Sequence, residues 1–181
     1  MAEEIDSDLI ATINAMTADR GWIINSYAQI EFLLADLIEK TSGFEEYAEW
    51  ANKPLPFGIG NRVKHVTTLC QSGRLAPHAE ALARIIADLL SIEESRHLYI
   101  HGFASFMFTP KGDRAMHFRR YVPPEKGGTA TLTSELKRGV DLAKEREQAT
   151  AFAQYAVGIF REIYRDLGLE PDADVQPATE V

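Results

Sequence analysis

DSDLIATINAMTADRGWIINSYAQIEFLLADLIEK, residues 6–40, places Leu9, Ile13, Met16, Ile23, Tyr27, Ile30, Leu34 and Leu37 on one seam, with Arg20 in the remaining step. Alternating steps of four and three are the signature of an amphipathic helix, and the phase survives Gly21. One helix over about 6–40 is the simplest reading; a kink or two-helix junction at Gly21 is the alternative. At a rise of ~1.5 Å per residue such a helix is roughly 50 Å long. That outruns what a compact 181-residue monomer covers, so a two-fold homodimer built on long helices is expected.

Thr41-Ser42-Gly43 closes the first helix, and 44–51 reads as a short one before the stiff loop Lys53-Pro54-Leu55-Pro56. A second amphipathic helix carries Ile59, Val63, Val66, Leu69 and Cys70 on one side. A third is predicted from near Pro77, through Leu82, Ile85, Ile86, Leu89, Leu90 and Ile92, to Gly102. The period then changes. FASFMF (103–108) and RAMHFRRYV (114–122), separated by Thr109-Pro110-Lys111-Gly112-Asp113, read as a β-hairpin. TATLT (129–133) either adds a third strand or leads into the last helix, whose seam is Ala149, Phe152, Ala156, Ile159, Phe160, Ile163 and Leu167. The fold class is mainly α, a helical bundle with a β-hairpin at about 103–122 inserted before the last helix. Residues 1–168 are expected to form a single domain, and 169–181 to be a disordered tail.

Composition bounds the function classes. Apolar residues make up 45% and charged residues 25%, ordinary for a globular domain that needs no metal or disulfide to fold. The lone Cys70 fits a reducing cytosol, no apolar run approaches a membrane span, and the acidic MAEEIDSD start is unlike a leader. A cytoplasmic protein without a membrane role is expected. The net charge of −8 argues against nonspecific coating of nucleic acid, yet 51–169 holds seventeen bases against twelve acids. The acidity belongs to the two ends.

The chemistry concentrates in Glu93-Glu94-Ser95-Arg96-His97-Leu98-Tyr99-Ile100-His101-Gly102. Steps from Ile85 through Leu89 and Ile92 land on Arg96, so a guanidinium falls on the core-facing seam and requires a partner. His97 and His101 are four apart and share a helix face. RNA carries its own nucleophile, the 2′-hydroxyl. Its cleavage needs a base, an acid and cations for the phosphorane, and histidines and arginine supply these near neutral pH. The same residues also fit a structural role, with Arg96 as an ion-pair anchor (Glu31 a candidate acid) and the histidines favoured by the helix dipole. His97 and His101 match a metal-binding i, i+4 pair with Glu93 one turn earlier, but no third ligand is evident, so neither metal nor cofactor is expected.

Arg96, a polar residue at 97, and His101 resemble the Arg-polar-x(3–5)-His motif of the HEPN (higher eukaryotes and prokaryotes nucleotide-binding) superfamily. The likeness covers roughly 6–102 and the last helix. It differs in having His at 97, where Asn or Asp is usual, and in adding the hairpin. The resemblance implies a four- to five-helix bundle and a homodimer whose two motifs face one cleft. It further implies metal-independent endoribonuclease activity leaving 2′,3′-cyclic phosphate ends, with Arg96, His97 and His101 as catalytic residues. The alternative is a non-catalytic dimer that binds RNA, a nucleotide or a protein partner, such as an antitoxin or a nucleotidyltransferase. In the hairpin, Lys111, Arg114, Arg119 and Arg120 interleave with His117, Phe118 and Tyr121 as candidate RNA-binding residues. A charged, solvated strand face that protects a sheet edge explains the same pattern.

Overall fold

The structure, a computed structural model, describes residues 7–50, 53–108, 113–124 and 127–169. Among these it is mainly helical, with five α-helices and one three-stranded antiparallel sheet. The elements run α1 (Ser7–Thr41), α2 (Ile59–Leu69), α3 (Ala79–Ser91), α4 (Glu93–His101), β1 (Phe103–Phe108), β2 (Arg114–Val122), β3 (Thr131–Arg138) and α5 (Gly139–Leu167). No helix among the described residues is long and apolar enough to cross a membrane. The chain divides into two compact units. One comprises residues up to Asn25 together with Ile92–Thr150; the other comprises Ser26–Ser91 and residues from Ala151 onward.

α1 is a single helix through Gly21, and the seam residues Met16, Ile23, Tyr27, Ile30, Leu34 and Leu37 are buried as the spacing requires. Thr41 and Ser42 end it by donating their hydroxyls to the carbonyls of Leu37 and Glu39, each at 2.7 Å. The helix expected over 44–51 reduces to a 3-10 turn at Glu45–Tyr47, and 51–52 lie outside the described residues. Tyr47 explains the contraction, because its ring is drawn inward. Its hydroxyl donates to the Ser72 carbonyl at 3.0 Å and accepts from the Leu75 amide at 3.1 Å. Gly73, at φ +68°, makes the turn between those partners, and a Cβ there would meet the Tyr47 hydroxyl at 2.9 Å.

The third predicted helix is two. Pro77 lies in a 3-10 turn, Gly73–His78, and α3 starts after it and stops at Ser91. Ser91 turns its hydroxyl back onto the Asp88 carbonyl at 2.7 Å, and Ile92 leaves helical geometry at φ −106°, ψ 7°. Glu93 and Glu94 then open α4, since carboxylates favour a helix N-terminus. The expected hairpin is a three-stranded meander. β2 pairs β1 from Phe103↔Arg119 to Phe108↔Arg114, and pairs β3 from Ala115↔Arg138 to Val122↔Thr131. The third strand therefore lies further along than 129–133, in TLTSELKR. Along β2, Met116 and Phe118 point into the core, while Arg119 and Tyr121 are exposed. The tail from 170 onward, expected to be disordered, lies outside the described residues.

In the second unit His65 is buried against Trp50, with ring centroids 4.3 Å apart, and its Nε2 has no hydrogen-bond partner among the described residues. Burial pushes its pKa down, and the Lys53 charge pushes the same way. A histidine depressed in the native state stays neutral while the unfolded chain takes up a proton, so stability falls as pH drops below the ordinary value of ~6.5. Wild-type protein should therefore lose melting temperature between about pH 7.5 and about pH 5.5, and His65→Phe should show a smaller loss. Equal losses in the two proteins, measured by calorimetry, would show that His65 is not a source of the acid sensitivity.

Candidate functional site

α4 carries the motif, and its C-terminal end is set by a side chain and sterics in the same unit. At its C-terminus the last carbonyls have no partner within the helix. Arg20 of α1 supplies the donors: Nε and Nη2 reach the Tyr99 carbonyl at 3.0 and 2.6 Å, and Nη2 reaches the Gly102 carbonyl at 3.1 Å. Gly102 has an ordinary φ, so its role is spatial. A Cβ there would stand 2.3 Å from the Leu98 carbonyl oxygen.

Tyr99 ties the helix down from within. Its ring is fully buried, edge-on to Phe118 at 5.0 Å, and its hydroxyl donates to Glu145 of α5. Glu145 in turn holds Lys137 of β3 at 2.6 Å, and Lys137 reaches Glu135 at 2.6 Å. Burial pulls the Lys137 ammonium down, but hydrogen bonds to both carboxylates outweigh it, and its pKa ends above the ordinary value. The Arg20 guanidinium lies over the Phe118 ring, 5.5 Å from its centroid.

On this support stand the three motif residues. Arg96 is 8% exposed, so its seam position reads correctly across the break at Ile92. Its Nη2 lies 3.2 Å from His97 Nε2. A guanidinium only donates, so Nε2 accepts and the proton of the neutral ring sits on Nδ1. Burial pushes the His97 pKa below the ordinary value; the charges of Arg96 and Arg120 push it further, against Glu93. The exposed His101 ring lies beside it, with centroids 5.9 Å apart. A neutral imidazole, a second imidazole and two guanidiniums are thus gathered around one helix. That set can accept a proton, return one and bind an anion.

The four basic candidates separate. Lys111 lies outside the described residues. Arg114 turns to α1, donating to the Asp8 carbonyl at 2.7 Å and the Thr12 hydroxyl at 2.5 Å. Arg120 turns to α4, with Nη2 3.1 Å from the Glu94 carboxylate, while its buried Nε finds no hydrogen-bond partner among the described residues. Beside it a recess of 140 Å³ opens between Ser95, Leu98 and Ser134. Arg119 alone stays on the outer sheet face, with its guanidinium 5.2 Å from the Phe103 ring centroid. Phe118, placed by the sequence reading among the RNA-facing aromatics, is fully buried instead.

Among the described residues no three His, Cys, Asp or Glu side chains gather as metal ligands. Burial pushes the Cys70 thiol up to about 11, which keeps it protonated and unsuited to nucleophilic work. Sequence reasoning missed Arg20 as part of the site, although a charge inside an apolar seam is the same signal that singled out Arg96. Comparison with protein-family models, with curated proteins and with solved structures gives no match.

Arg20→Ala leaves two buried carbonyls without charged donors and should cost ~2–3 kcal/mol by denaturant unfolding. Arg20→Lys should recover only part of that, because an ammonium lacks the planar fork. A change within about 0.5 kcal/mol, the range of ordinary surface substitutions, would show that the clamp does not support α4.

Proposed function

We propose that this chain is a cytoplasmic, RNA-processing protein of HEPN-like type, a homodimeric bundle that cleaves RNA without metal at Arg96, His97 and His101. The observation that carries the proposal is the Arg96–His97 contact with the exposed His101 ring alongside it. In this reading the His101 ring of one copy of the dimer serves as base and that of the other as acid, while His97, whose lone pair accepts from Arg96, orients the guanidinium. The base takes the proton of the RNA 2′-hydroxyl, and the 2′-oxygen attacks phosphorus. The bond to the 5′-oxygen breaks, and the acid protonates that leaving oxygen. The products are a 2′,3′-cyclic phosphate and a 5′-hydroxyl end. Arg96 and Arg120 offset, by their charge, the negative charge that grows on the phosphorane.

Burial of Arg96 supports a second reading, in which the motif is an anchor inside a non-catalytic dimer that binds RNA, a nucleotide or an antitoxin-type partner. The two separate on activity. For the enzyme, wild type should cleave single-stranded RNA in EDTA, leave DNA intact and yield cyclic phosphate ends. Arg96→Ala and His101→Ala should each lower the rate by roughly 10²-fold or more while remaining folded. An inert wild type, together with an Arg96→Ala variant that loses ~3–5 kcal/mol of stability, overturns the enzyme and leaves the anchor.

A further inference from the structure

The sheet has one face that the proposed cleavage does not use. Phe103 and Ser105 of β1, His117, Arg119 and Tyr121 of β2, and Leu132, Ser134 and Leu136 of β3 share it by register and alternation, while its Met107–Ala115–Arg138 end is covered at Ala115, which is buried. Its largest side chains stand in solvent: Phe103 is 63% and Tyr121 70% exposed, and Leu132 and Leu136 are also exposed. Several large apolar side chains exposed on one sheet face mark an interaction site.

Charge identifies the occupant. The chain carries −8 overall, yet none of the positions on this face is Asp or Glu. Its cation is Arg119, stacked on Phe103; Arg138, at the covered end, is shared by Asp141 at 2.9 Å. A second copy seated face to face would bury Arg119 with no carboxylate to meet it, which is costly. An anionic partner with flat, apolar rings meets both features. A duplex keeps its bases stacked internally, whereas unpaired bases lie on aromatic and guanidinium faces.

We propose that this face binds single-stranded RNA, with bases stacking on Phe103 and Tyr121 and Arg119 meeting the backbone. The proposal rests on the RNA reading above and names its substrate as unpaired RNA. Phe103 lies two residues beyond His101, within about 7 Å along the chain.

The test uses the full chain and a fluorescein-labelled 2′-O-methyl oligoribonucleotide, which binds but lacks the attacking hydroxyl. Anisotropy should give a Kd weakened roughly tenfold or more in Phe103→Ala and in Tyr121→Ala. Ser134→Glu, which removes no apolar contact and places a carboxylate opposite Arg119, should weaken binding as well. Arg119→Ala should lower the salt-dependence slope by about one. Circular dichroism checks that each variant folds. If wild type binds and all these variants bind equally well, the platform is wrong while the RNA reading stands. If wild type binds no RNA, both fall. If the Phe103 and Tyr121 variants dissociate a dimer without changing the RNA Kd, the face is a protein interface and the proposal is overturned.

Discussion

The carbonyl end of α4 is where the geometry of the first unit is decided. A helix that stops against its own Leu98 carbonyl, with no room for a Cβ at Gly102, presents orphan acceptors in a buried place. Arg20 satisfies two of them with one guanidinium, and that same guanidinium lies over Phe118, which Tyr99 meets edge-on. Tyr99 then carries the connection through Glu145 to Lys137. Helices α1, α4 and α5 and two strands thus converge on the two residues that flank Ile100 and His101. Without that fixing, the imidazole of His101 and the start of β1 would have no defined place.

Electrostatics of the site run against the charge of the whole chain. An overall −8 suggests an anion-repelling protein, but around α4 the balance is local. Arg96 lies beside His97 and Arg120 is close enough to shift it, with Glu94 paired to Arg120 from an exposed position where ion pairs contribute little. Burial first, and these cations after it, push the His97 pKa down, and the cations favour a phosphate nearby.

The long helix, the two strands of the hairpin, the core-facing Arg96 and the shared face of His97 and His101 were all legible, because each rests on a period of 3.6 or 2. What was not legible lacked a period. β3 reads TLTSELKR, and nearly all of it is exposed, so no alternation between core and solvent marks it as a strand. The break at Ile92 preserves the seam on both sides and is made by one serine hydroxyl and one non-helical residue. The basic stretch of the hairpin looked like one surface, yet alternation sends Arg114 and Arg120 to one side and Arg119 to the other. The pairing of Arg20 with α4 spans 79 residues of sequence, and no local pattern announces a contact of that range.

A histidine whose pKa is pushed down by burial and then by neighbouring cations, and whose Nε2 accepts from Arg96, is the premise on which the chemistry stands. Nitrogen-detected NMR of the histidine rings across a pH titration reads both halves of that statement. The expected result is a His97 midpoint below the ordinary ~6.5, with the neutral ring protonated on Nδ1 and unprotonated Nε2 accepting from Arg96. A midpoint at or above the ordinary value, or a neutral ring protonated on Nε2, would contradict it, since Arg96 would then have no lone pair to meet.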